Sequence, residues 1–290
     1  MTILLLILTI LPLVCSIAIK VAFIPASEGI AISGAHIFFT IDLPFGGLPI
    51  TESQVNSWAV LLSLFFLCLF LTHGMKTKNI GVRQIIAEFI VEKVEGLVRS
   101  SMGEMFMGFG PFIAAIMGLS AMTSLQSLLG LYPATSDLNV VSGWAILVFI
   151  LITYYKMKAG PLYYLKGFTE PIPVMTPMNI IGEIATPVSM ALRHYGNVIS
   201  GFVISILIGT ALSGASSLIF GWLPGALGGY LLRIGLPAIF SIYFDLFSGC
   251  LQAFIFAMLT MNYVSSAFPA DEYFRRKALK KARLEAKNIK

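Results

Sequence analysis

Residues 54–74, "QVNSWAVLLSLFFLCLFLTHG", contain no Asp, Glu, Lys or Arg. As an α-helix rising ~1.5 Å per residue, such a run matches the ~30 Å hydrocarbon core of a bilayer. Similar runs recur at 109–132 and 139–157, and longer ones at about 178–212 and 230–268. Only 11% of the residues are charged, against ~25% in soluble domains, and mean hydropathy is +0.89. Backbone polar groups in lipid must be satisfied within the segment, which selects helices here. The sequence therefore describes an all-α integral membrane protein of five to six membrane helices. Residues 3–19, "ILLLILTILPLVCSIAI", leave the count open: they read as a retained first span or as a cleaved signal, although they have neither a basic start nor an A-x-A site.

Charge placement gives the topology. Lys76, Lys78 and Arg83 follow one span, and Lys156, Lys158 and Lys166 another. Arg275, Arg276, Lys277, Lys280, Lys281, Arg283, Lys287 and Lys290 fill the tail. The alternate loops carry Glu28, Asp42, Glu52 and Asp137. Basic loops are cytoplasmic by the positive-inside rule. Three regions follow: an N-terminal apolar segment and extracytoplasmic loop (1–53), a membrane domain (54–268) and a basic cytoplasmic tail (269–290). The tail leaves a span directly, so its charge is explained by topology and membrane lipid rather than nucleic acid.

Two cytoplasmic segments differ from the spans. In 84–104, Glu88, Glu92, Glu95 and Arg99 hold one face and Ile86, Ile90, Val94 and Leu97 another. This pattern predicts an amphipathic surface helix, either an interfacial connector or a dock for a partner helix. Residues 160–177, "GPLYYLKGFTEPIPVMTP", hold four prolines and are expected to form a cytoplasmic or re-entrant loop without regular helix. The two long runs that follow exceed the bilayer thickness, so each helix must tilt, bend or project beyond it.

Lys20 and Arg233 sit near span ends, where they can snorkel, and the charged residues left within the two long helices are Arg193, Glu183 and Asp245. Each costs several kcal/mol at depth (roughly 2.5–3.5 on insertion scales), so each needs a partner or a path. Ser189, Arg193 and Asn197 recur at i−4, i and i+4, with Gly201 next in the stripe. Asp245 and Gln252 stand two turns apart, nominally on one face. Bland alternatives exist for each: an Arg193–Asp245 salt bridge, Gln252 as interhelical glue, and Glu183 as a partly exposed structural acid. Arginine stays charged even in a poor solvent. In a membrane it would make a passing carboxylate give up its bound cation, and would stop that cation leaking straight past.

"MALRHYGNVISG" and "LQAFIFAMLTMNYV" resemble the two signature helices of the F-type ATP synthase subunit a family. "FFTIDLPFGGLPITESQVNSW", "ATSDLNV" and "GFTEPIPVMTPMNIIGEIATPVSMAL" are similar to the same family, extending the resemblance over roughly 36–268. It implies a non-catalytic stator with two long, tilted helices beside a rotating ring of c subunits, together with peripheral-stalk b subunits and the rest of the synthase. Two ion half-channels would meet near Arg193, coupling H+ or Na+ flow to ATP synthesis or hydrolysis. Asn197, Ser189 and Gln252 match polar residues of that path, and Glu183 is assigned to it as well. The common form Arg-Leu-Phe-Gly-Asn is replaced by Arg193-His194-Tyr195-Gly196-Asn197, which gives His194 a packing or lipid-edge role. Some members place Glu nine residues after the arginine and His on the facing helix. Phe202 and Asp245 stand there here, which makes Asp245 the candidate relay of the outer half-channel.

The resemblance implies a multi-pass protein of a bacterial plasma membrane in preference to a mitochondrial inner membrane. No nucleotide loop, nucleophile triad or metal-ligand spacing is present, and Cys15, Cys68 and Cys250 lie in apolar runs, so no cofactor or metal is expected. The alternative, a stand-alone secondary transporter with Arg193 binding an anionic substrate, lacks the internal repeat such proteins carry.

Overall fold

The computed structural model describes residues 2–24, 34–44, 46–78, 80–169, 172–222 and 242–288, with backbone alone for 43, 202, 245 and 282–288. Helix α1 (Thr2–Phe23) precedes a β-hairpin, β1 (Ile37–Leu43) and β2 (Gly46–Thr51), then α2 (Glu52–Thr72) and α3 (Val82–Met102). A 3-10 turn, Glu104–Phe109, leads into α4 (Gly110–Leu125). Two further 3-10 turns connect to α5 (Leu138–Met157), whose first turn is capped by the Asp137 carboxylate accepting from the Asn139 N–H at 3.0 Å. The short α6 (Pro161–Thr169) and a 3-10 turn precede α7 (Thr176–Phe220). A π-helical segment, Ile242–Ser248, runs into α8 (Gly249–Ala267), and α9 (Ala270–Asn288) carries the basic tail. Among the described residues, six helices are long and apolar enough to cross a membrane, α1 included.

The helices pack with polar groups inward and apolar groups outward, as lipid on the outside permits. Ile3, Ile7, Ile10, Leu61, Phe65, Ile146 and Ile150 are exposed, whereas Asn56, Ser63, Ser120, Thr123, Gln126 and Thr260 are buried. Small polar residues allow close helix contact and bond across it. Ser63 on α2 donates to the Thr9 carbonyl of α1 at 2.7 Å, and Lys20 reaches the Gly130 carbonyl near the outer ends. The apolar core lies toward the end of the bundle that carries α3. Val94 and Val98 of α3, Ile113 of α4, Val148 and Ile152 of α5, Met190 of α7, and Phe256 and Met261 of α8 form one cluster.

Three expectations change. The proline-rich stretch does contain a helix, because Pro161 occupies the first helical position, where its missing N–H costs nothing, and no further proline occurs until Pro171. Helix α3 forms, but its buried face is Ala87, Val94, Val98 and Met102; Ile86 and Ile90 are exposed. Amphipathicity located the helix, but two apolar sides competed for the interior. Finally, α7 is 45 residues long, starting near the expected position but continuing past 212. At ~1.5 Å per residue it is ~68 Å long, over twice the hydrocarbon thickness. Residues 230–241 of the second long run lie outside the described residues.

Candidate functional site: the seam between α7 and α8

Three contacts set the register of α7 against the last span. Asn197 Nδ2 donates to Ser248 Oγ at 3.0 Å, and that hydroxyl donates back to Asn197 Oδ1 at 3.2 Å. One turn along, a Cβ at Gly201 would lie 3.4 Å from Phe244 Cβ. Residues 197 and 201 thus face 248 and 244, an antiparallel pairing. One turn in the other direction, the pairing brings Arg193 level with Gln252, which is buried on α8. The approach is close elsewhere too: a Cβ at Gly249 would lie 2.6 Å from Ser124 Cβ of α4.

The stripe Ser189–Arg193–Asn197–Gly201 winds from the surface into this seam. Steps of four residues drift ~40° around a helix of 3.6 residues per turn. Ser189 and Arg193 are accordingly exposed, Asn197 is half-buried and Gly201 is buried. Arg193 forms no hydrogen bond or ion pair with the described residues. Exposed apolar residues of the same helix flank this stripe: Ile184 is 56% exposed, Val188 49% and Leu192 54%. A bare guanidinium on the flank of an apolar helix is poorly matched to lipid alone.

Asp245 belongs to the π-helical segment, and its side chain is outside the described residues. The expectation that Asp245 and Gln252 share a face assumed α-helical spacing. A π segment, with its i→i+5 bonding, breaks that phase. His194 turns away from Arg193 into the core, fully buried, with Trp144 and Phe256 edge-on at 5.8 and 5.4 Å. It packs internally, not at a lipid edge. Its Nε2 is 3.4 Å from Ser120 Oγ, while Nδ1 has no partner.

Toward the N-terminal end of α7, Glu183 is far from bare. Lys156 Nζ of α5 donates to Glu183 Oε2 at 2.7 Å, and the Tyr164 hydroxyl of α6 to Oε1 at 3.3 Å. Burial, and then the Glu183 charge, push the Tyr164 phenol above its usual range. A cavity of about 450 Å³ opens here, lined by Tyr163, Tyr164, Asn179 and Glu183 among others. No cluster of metal-ligating side chains occurs among the described residues.

The family model for the ATP synthase A chain matches residues 55–265. The chain belongs to this family. ATP synthase subunit a of Bacillus subtilis is 31% identical over 248 residues, covering 81% of this chain and 99% of that protein. Subunit a of Legionella pneumophila is 25% identical over 240 residues, covering 82% and 94%. The sodium-ion-specific subunit a of Propionigenium modestum is 28% identical over 258 residues, covering 81% of each. As a member of the subunit a family, the chain is a component of an ATP synthase complex, and the six long apolar helices among the described residues, with its bacterial relatives, make it a multi-pass bacterial membrane protein.

Within this subunit a fold, the sequence reading passed over several polar residues. Ser248 lies four residues before Gln252 on the facing helix, a spacing that would have revealed it. Lys156 was counted only as a topology marker, and Tyr164 lay in the supposed loop. Further out, Ser53 donates to Asp137 at 2.7 Å, Asn56 to the Tyr132 carbonyl at 2.9 Å, and Gln126 to the Asn56 carbonyl at 3.0 Å. A cavity of about 20 Å³, room for one water, touches Ser124, Ser127 and Asn197.

Proposed function

We propose that the chain is the non-catalytic stator channel subunit of an F-type ATP synthase in a bacterial plasma membrane. It passes H+ or Na+ to and from a rotating ring of c subunits, coupling that flow to ATP synthesis or hydrolysis. The observation that carries this reading is the uncovered Arg193, without a hydrogen bond or ion pair among the described residues and with exposed apolar side chains on the same helix. A partner helix bearing a mid-membrane carboxylate is the neighbour that would suit it. Arg193 would make the arriving carboxylate release its ion and would separate the inlet from the outlet. Ser189, Asn197 and Gln252 would line the path, Asp245 would relay ions on the outer side, and Glu183 would belong to the cytoplasmic exit. Helix α7, too long to cross upright, would tilt along the ring, while the exposed apolar side of α3 would receive the peripheral-stalk b subunits. In this reading 1–53 would be the N-terminal apolar segment and extracytoplasmic loop, 54–268 the ion-channel domain and 269–290 the basic cytoplasmic tail.

Each charge crossing 100 mV yields ~2.3 kcal/mol, so several ions must pass per ATP. Nothing in the fold favours a stand-alone transporter. The test is Arg193→Ala in inverted membrane vesicles: ATP-driven ion uptake is lost while the soluble head still hydrolyses ATP. Coupled uptake at the normal rate would remove the basis of the proposal.

A further inference from the structure

The Lys156–Glu183 pair stands between two cavities. The cytoplasmic one, about 450 Å³, is bounded by α6 and the first turns of α7. The second, about 250 Å³, lies farther from α6, toward the middle of α5, is open on its outer side, and is lined by Phe149, Ile152, Tyr263 and the exposed Ser266. Both are lined by Lys156, Glu183, Thr186 and Ala267, so the ion pair sits on their common boundary. The Glu183 side chain is 10% exposed and that of Lys156 34%. The pair is therefore partly sheltered from water, where a charge-assisted bond at 2.7 Å is stronger than on an open surface.

Three elements meet at this point. Lys156 comes from the last turn of α5, Tyr164 from α6 and Glu183 from α7. Tyr164 holds the carboxylate oxygen that Lys156 does not, so Glu183 is fixed from two sides. One turn on, Pro187 lacks the N–H that would bond the Glu183 carbonyl, so α7 is locally less constrained here. A cation moving between the cavities meets an ammonium group and a carboxylate whose two oxygens are already occupied.

We propose that Lys156, Glu183 and Tyr164 form a latch that closes the second cavity to the cytoplasm and opens when the ion pair separates. The latch rests on the proposed role of this region as the ion exit, and adds to it a regulated barrier with Lys156 as its movable arm. Lys156 and Tyr164 are positioning residues: they act on water access through Glu183.

The experiment uses assembled synthase in inverted vesicles, with Cys15, Cys68 and Cys250 replaced by alanine and Phe149→Cys as the reporter in the second cavity. A small membrane-impermeant thiol reagent is added on the exposed cytoplasmic side. Lys156→Gln is expected to raise the labelling rate on the order of tenfold, the shift in open population that loss of ~1.4 kcal/mol produces. The charge swap Lys156→Glu with Glu183→Lys restores slow labelling. Tyr164→Phe, which leaves both charges in place, gives an intermediate rate and serves if Lys156→Gln fails to assemble. Labelling in Lys156→Gln as slow as in its parent overturns the latch. ATP-driven uptake, measured on the same vesicles with and without Arg193→Ala, separates that outcome from failure of the wider reading. Coupling that depends on Arg193, with unchanged labelling, rejects the latch alone.

Discussion

Asn197 and His194 stand three residues apart on α7 and show how differently buried polar groups behave. Asn197 exchanges two hydrogen bonds with Ser248, whereas His194 leaves Nδ1 without a partner in the core. Interhelical hydrogen bonds in membranes contribute ~0.6–1.7 kcal/mol. A double-mutant cycle on Asn197→Ala and Ser248→Ala is therefore expected to give a coupling energy in that range, read from thermal unfolding in detergent. A coupling near zero would remove the pinned register that sets Arg193 level with Gln252. His194→Leu should behave otherwise. It deletes an unsatisfied nitrogen worth ~1–3 kcal/mol and loses two ring contacts worth ~0.5–1.5 kcal/mol each. The two effects oppose, so stability is expected to change by no more than ~2 kcal/mol in either direction, with pumping retained. Four-residue spacing made one winding stripe of Ser189, Arg193 and Asn197 legible in the sequence, but not the drift that leaves Ser189 and Arg193 exposed while Asn197 enters the seam. The partners of these residues were not legible either, because Ser248 and Lys156 arrive from distant parts of the chain.

Among the elements, α4 and α8 approach each other most tightly at Gly249. Replacing it with alanine would put a methyl 2.6 Å from Ser124 Cβ, a contact neither helix avoids without shifting. Gly249→Ala is expected to destabilise the protein by ~1–3 kcal/mol, with Ser124→Gly restoring most of the loss in the same unfolding measurement. In α9, Arg276 Nε donates to Glu272 Oε1 at 2.6 Å, and this bond first, then the neighbouring Arg275 and Arg276 charges, hold the Glu272 carboxyl below its ordinary 4.5. A depressed carboxylate stabilises above its unfolded value and loses that effect as pH falls. Hydrogen exchange in the first turns of α9 should thus be constant from pH 7 to 5 and quicken, relative to its intrinsic rate, below 4.5. Exchange that tracks the intrinsic rate throughout would show that the pair contributes nothing. Helix positions were readable from apolar period and length. The hairpin, α6 and the π segment were not: short strands, a proline-started turn and one shifted hydrogen-bond pattern leave little mark on composition.

At the scale of the whole molecule, apolar residues face outward and a polar interior runs from Asp137 and Ser53 through Gln126 toward Asn197. The family was legible because its motifs span most of the chain. These polar contacts were hidden, since serine, threonine and glutamine inside spans read as ordinary helix-packing residues. What remains unmatched within the chain is the face of α7 that carries Arg193, with Val188 and Leu192 beside it. The most direct measurement is disulfide cross-linking in membranes between Leu192→Cys and single cysteines placed along the outer helix of the c subunit. The expected product is a cross-link confined to ring positions within about one turn of the c-subunit carboxylate, forming in assembled synthase only. If Leu192→Cys meets no ring position yet remains accessible to lipid-soluble reagents in the coupled enzyme, Arg193 faces lipid and the stator reading of this helix is overturned.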